Sequence, residues 1–160
     1  MDSLHVVDLG VAMHACGNVL HVLCYDVLPG TAAANMLVVW QEISRLYCDR
    51  GTSSQVPHLD LRSFCDPTKP HADFPLLKGK GAQNRHLAPI LALIWRQHIR
   101  PGNRYDMQVE RVLDNLALFY HCLEFTDCKG LHPFHLPQQI AGQLLKHVDE
   151  FLWHYSAAND

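Results

Sequence analysis

Twelve histidines and six cysteines stand against only 13 lysines and arginines in 160 residues, so metal ligation is the first chemistry to weigh. The densest grouping is Cys122, Cys128, His132 and His135, gathered around Gly130. Thiolate and imidazole are the usual ligands of zinc, and a structural site wants four of them in tetrahedral array. The spacing Cys-x5-Cys-x3-His-x2-His matches no finger pattern, however, and the chain contains no C-x2-C pair. A second set, His14, His21 and Cys24, falls along one apolar helical stretch, where a cysteine is ordinarily a small core hydrophobe. Neither set is assigned a metal.

Nucleophilic chemistry fares no better. A reactive thiol needs an electropositive, partly exposed setting. Cys65 is the one candidate, and its neighbour Asp66 is anionic. The chain has no G-x-S-x-G elbow and no H-E-x-x-H. No catalytic residue and no cofactor are expected.

The charge pattern is more informative. No acidic residue lies between Asp73 and Asp106, and the interval holds Lys78, Lys80, Arg85, Arg96, Arg100 and Arg104, six of the 13 basic residues. The net charge of −3 therefore conceals one basic stretch in an acidic remainder. At ~100° per residue, Arg85, Arg96 and Arg100 project within roughly 60° of one another on a helix. Leu87, Ile90, Leu91 and Ile94 project to the other side, where a core belongs. Such a stripe suits phosphate, and the plain alternative is a solvated face with no partner. Lys78-Gly79-Lys80-Gly81 ahead of the helix offers flexible backbone N–H groups to an anion. It is not a phosphate-binding Walker loop, because no Lys-Ser/Thr pair follows Gly81.

Helices must carry these residues, for the apolar periodicity is helical nearly throughout. A first helix is expected over 9–28, stopped by Pro29-Gly30. Thr31 caps a second, through Cys48, whose apolar contacts recur at Ala33, Leu37, Trp40, Ser44 and Tyr47, with Gly51 just past its end. Residues 51–81 carry Pro57, Pro67, Pro70 and Pro75 and read as a long Pro-rich loop, with a short helical or extended piece at 59–64. A loop of that length inside a domain points to a partner-facing segment. A third helix spans 82–100, with Pro89 either kinking it or opening a shortened one, and Pro101-Gly102 ends it. Asn103 caps a fourth helix to about Phe125, with Met107, Val109, Val112, Leu113, Leu116, Phe119, Tyr120 and Leu123 inward. Pro137 opens a fifth, reaching about Tyr155. Trp40, Trp95 and Trp153 are expected as core anchors. The fold class is an all-α, single-domain bundle of about five main helices over 1–160.

The string Asp2-Ser3-Leu4-His5, continuing through Leu9-Gly10 and His14 to Gly17-Asn18, resembles the D-x-x-H element and following helix start of cut-and-paste transposases of the DDE class. The strings from Phe74 to Ala82 and from Phe151 to Tyr155 resemble segments of a multicopy family of dinoflagellate genomes derived from mobile elements. In that class the D-x-x-H lies between the second and third catalytic carboxylates, at the entry to a helical insertion. The resemblance carries over Asp2 and His5 as motif residues and implies an internal piece of a longer protein. Transposition chemistry needs three carboxylates holding two divalent ions. The first two acids would precede this chain, and Glu42, Glu110, Glu124 and Glu150 sit in predicted helices without a motif marking any as the third.

Composition narrows the rest. At 48% hydrophobic and 18% charged residues the chain is globular rather than disordered. Its apolar runs are far short of the ~20 residues of a membrane span, and Asp2, His5 and Asp8 interrupt any signal-peptide core. Reduced thiols and an intracellular location follow, nuclear if the transposase-like relation holds and cytoplasmic otherwise. Two functions are in view. One is a non-catalytic helical module of a transposase-like protein, contacting DNA through its basic segment and docking other parts of a larger protein. The other is a helical protein-interaction or scaffold domain with no nucleic-acid role. No membrane partner is expected.

Overall fold

A computed structural model describes residues 10–127 and the single helical positions 142, 146, 149, 150 and 153. The described residues are helical and contain no strand. They divide into two compact units after Arg100.

In the first unit, α1 (Ala12–Val22) carries no charged residue and continues into a π-helical turn, Leu23–Val27. A helix apolar around most of its circumference belongs inside, and Ala12, Cys16, Leu20 and Leu23 are wholly buried. The turn closes through Leu28 N–H to Leu23 O at 3.1 Å, and Leu28 is extended ahead of Pro29. The carbonyls freed there need donors. The buried Asn35 supplies them: its Nδ2 lies 2.8 Å from Cys24 O and 3.0 Å from Leu28 O, while its Oδ1 accepts from Gly30 N at 3.0 Å.

Helix α2 (Ala32–Arg50) begins where Thr31 Oγ1 accepts from Ala34 N. It ends at Gly51, whose φ of 61° is left-handed. Gly51 N–H to Cys48 O and Thr52 N–H to Tyr47 O complete a Schellman closure. Both caps agree with the sequence reading, but the buried face agrees only at Tyr47. The stripe facing inward is Asn35, Met36, Val39, Ile43, Leu46 and Tyr47, while Ala33 is exposed and Leu37 is 57% exposed. Both stripes fit a 3.6-residue period, and the polar Asn35 selects between them because its bonds tie that face to the π turn.

Residues 51–80 hold a single 3-10 turn, Leu61–Ser63, whose cap is Asp60: its Oδ1 accepts from Ser63 N at 3.0 Å. The segment then returns as extended chain. Leu77 N donates to Met13 O at 3.0 Å, and Gly17 makes room for it. A Cβ at Gly17 would meet Leu77 N at 2.7 Å and Pro75 O at 3.0 Å.

Helix α3 (Gly81–His98) packs on α1 and α2. Leu87, Ile90, Leu91 and Ile94 are buried as the projection required, and so is Trp95. Pro89 lies within the helix, where it withholds the N–H that would pair with the Arg85 carbonyl. Burial of the residues on both sides keeps the helix continuous.

The second unit contains α4 (Arg104–Asp127), capped by Asn103 Oδ1 accepting from Asp106 N at 3.2 Å. Val109, Val112, Leu113, Leu116, Phe119 and Tyr120 are buried, whereas Met107 is 45% exposed and Trp153 67%. Trp153 is therefore no core anchor. The fifth predicted helix lies outside the described residues but for its single helical positions. No helix among the described residues is long and apolar enough to cross a membrane.

Candidate functional site

The basic segment begins on the extended stretch after Leu77. Lys78 N donates to Ser63 O at 2.8 Å and Leu76 N to Phe64 O at 3.0 Å, so residues 76–78 run beside the 3-10 turn. Lys78 Nζ donates to Arg62 O at 3.1 Å. The pairing gives Lys78 a neighbour far away in sequence, Arg62, which spacing could not have revealed. Lys80 is exposed at the N-cap of α3, its N–H held by Gln83 Oε1 at 3.0 Å. Gln83 Nε2 reaches back to Gln55 O at 3.3 Å and ties the helix start to the preceding loop.

Along α3 the cations separate. Arg85 is half-buried, with its Nε out of solvent, so it is partly a packing residue. Arg96 is exposed on the last turn. The helix ends at His98, with Ile99 at ψ 129°, and the exposed Arg100 therefore leaves the helical projection that grouped it with Arg96. Arg104 is exposed at the first position of α4, in the second unit. The expected continuous stripe resolves in the first unit into two exposed patches at the ends of α3. Lys78 and Lys80 form one, Arg96 and Arg100 the other. At 1.5 Å per residue, Lys80 and Arg96 are ~24 Å apart along the axis.

Beside the first patch a cleft of about 510 Å³ opens between residues 61–70 and 73–78. Arg62, Lys69 and Lys78 bring positive charge to it, and Asp66 and Asp73 negative. Asp66 Oδ1 accepts from Thr68 N at 2.9 Å and from Thr68 Oγ1 at 2.8 Å. These bonds first, and the charges of Arg62 and Lys78 after them, hold its carboxyl below the ordinary value. Its aromatic lining is Phe64, 2% exposed, and Phe74, 50% exposed, whose ring is edge-on to His14 at 5.5 Å. A smaller groove of about 300 Å³ lies on the outer side of α2, where Leu37 and Trp40 face His58 and Leu61.

Among the described residues, the cysteines and histidines of the first helix are packed inside or at the edge of the core. Cys16 and Cys24 are buried, and burial pushes each thiol up to about 12. Cys65 is half-buried, donates to Leu61 O at 3.4 Å, and has its pKa raised chiefly by desolvation. That is the opposite of an activated nucleophile. His21 sits 7% exposed against Tyr25, ring centroids 4.6 Å apart, with His71 edge-on at 5.1 Å and Nε2 3.0 Å from Pro70 O. Among the described residues no three His, Cys, Asp or Glu side chains are grouped to hold a metal. Asp2 and His5, and Cys128, His132 and His135, lie outside the described residues.

No family model, curated protein or solved structure matches the chain.

Proposed function

We propose that this chain is a non-catalytic helical module that contacts nucleic acid through the basic segment, within a transposase-like protein of the nucleus. The observation that carries the contact is the exposure of Lys78, Lys80, Arg96 and Arg100 along an interval with no acidic residue between Asp73 and Asp106. The ~24 Å axial separation of the two patches, about seven base-pair steps at ~3.4 Å per step, makes them two separate phosphate contacts rather than one. Arg85 and Arg104 belong to the same proposal, Arg85 with a packing role besides. The transposase-like relation rests on the Asp2–His5 string and the two later strings alone. The fifth helix over 137–155, and the Pro-rich stretch 51–81 as the partner-facing segment, complete this reading.

Charge reversal tests it. Lys78, Lys80, Arg96 and Arg100 changed together to Glu should abolish binding of the full chain to duplex DNA at low salt. Arg85→Glu is unsuitable for this purpose, since a carboxylate at its buried Nε position would unsettle α3. Binding unchanged by the fourfold reversal contradicts the proposal.

A second reading has its own observation. Leu37 and Val38 are each more than half exposed beside the apolar groove of α2, as on a helical interaction or scaffold domain whose Pro-rich segment and basic face dock an acidic protein. Recovery of acidic proteins with no nucleic acid bound favours that reading.

A further inference from the structure

The cleft beside Lys78 has a chemistry that the basic patch alone does not require. We propose that it receives one unpaired nucleotide of a single-stranded nucleic acid, base against Phe74 and phosphate at Arg62 and Lys78. The inference rests on the nucleic-acid reading above and names the form of nucleic acid that this end of the segment takes.

Its volume of about 510 Å³ falls in the ordinary range of small-ligand sites, ~300–1,000 Å³. The walls are fixed by backbone bonds between 76–78 and 63–64, so the cleft is formed before a ligand arrives. Three cations and two carboxylates line it together. A simple anion pairs with the cations but leaves Asp66 and Asp73 facing it, and a basic peptide meets the reverse at Arg62, Lys69 and Lys78. A nucleotide satisfies both signs. Its phosphate is anionic, while base edges carry N–H donors that a carboxylate accepts, such as the cytosine amino group. Lys78 gives one of its three ammonium hydrogens to the Arg62 carbonyl and keeps the others for an anion.

Stacking supplies the third element. Phe74 is half exposed and Leu76 is 38% exposed beside it, leaving apolar surface in water where charges of both signs converge. Base–aromatic stacking is tolerant of sequence and recurs wherever proteins hold single strands. In a duplex the base faces are stacked on each other and their edges paired. Only an unpaired base presents both a face to Phe74 and donors to Asp73.

The experiment compares binding of the full chain to a short labelled mixed-sequence DNA oligonucleotide and to the same sequence as a duplex, at low salt. Phe74→Leu keeps an apolar side chain and should weaken single-strand binding on the order of 10-fold while leaving duplex binding unchanged. Phe74→Trp should retain single-strand binding. Arg62→Gln, at the solvent edge, should weaken it several-fold and reads the cleft independently of Phe74. Single-strand affinity unchanged in Phe74→Leu and Arg62→Gln overturns the inference, as does an equal loss on both DNA forms. A free mononucleotide, dCMP, bound as tightly as the oligonucleotide reassigns the cleft to a small ligand and also overturns it. If the unaltered chain binds neither DNA form, the nucleic-acid reading falls and this one with it. If it binds duplex but the cleft variants are silent on single strands, only the cleft assignment falls.

Discussion

Two buried polar side chains govern how the first unit responds to mutation and to pH. Asn35 gathers the carbonyls of Cys24 and Leu28 and the N–H of Gly30 around one amide. Asn35→Ala removes the bonds to Cys24 O, Leu28 O and Gly30 N, of which the one to Cys24 O is fully buried, and an orphaned buried group costs ~1–3 kcal/mol. Urea unfolding should show a loss of at least that size, whereas Ala34→Ser, one position away and exposed, should change little. His21 supplies the pH dependence. Burial lowers its pKa from the ordinary 6.5, opposed by the bond to Pro70 O and the nearby Asp26 and aided by His71. The folded state therefore binds fewer protons than the unfolded one. The stabilisation is fully present above pH ~6.5 and is lost as pH falls toward the lowered value. Thermal melts from neutral to mildly acidic pH should show this decline, and His21→Phe should flatten it. A decline of the same size in His21→Phe would assign the effect to other groups.

At the scale of elements, the helices are written locally and their faces are not. Thr31, Gly51 and Asn103 mark helix ends by their own chemistry: a hydroxyl acceptor, a left-handed φ, an amide acceptor. Each stands where sequence reading put it. The orientation of α2 depended instead on a partner. Ala33, Leu37 and Trp40 repeat at a helical period as well as Met36, Val39 and Ile43 do, and the bonds from Asn35 to the π turn favour the second set. Arg100 shows the same dependence, because a projection assumes that the helix continues and the backbone turns extended at Ile99. Arg62 was invisible for a third reason: Lys78 meets it through extended backbone pairing, which leaves no periodic trace in a Pro-rich stretch. That stretch is seated on α1 through Gly17. Gly17→Ala brings a methyl to 2.7 Å from Leu77 N, against backbone that cannot swing aside. A stability loss of ~1–3 kcal/mol is expected, together with faster amide exchange at Leu77, whose N–H bonds Met13 O. Unchanged exchange at Leu77 would show that the segment does not depend on this contact.

Over the molecule as a whole, a net charge of −3 sets the limits of any nucleic-acid contact. The acidic remainder repels phosphate at long range, so binding depends on the local patches at the two ends of α3 and weakens steeply with salt. Cations there add to affinity only where a phosphate reaches them, and each phosphate neutralised adds ~0.9 to the slope of log K against log salt on duplex DNA. That slope counts contacts directly, without reference to sequence preference. The decisive measurement is the salt dependence of duplex binding by the unaltered chain and by a variant with Lys78, Lys80, Arg96 and Arg100 changed to Gln. The proposal predicts measurable binding at low salt and a slope shallower in the variant by up to ~3–4. No binding at low salt, or the same slope in both proteins, contradicts it.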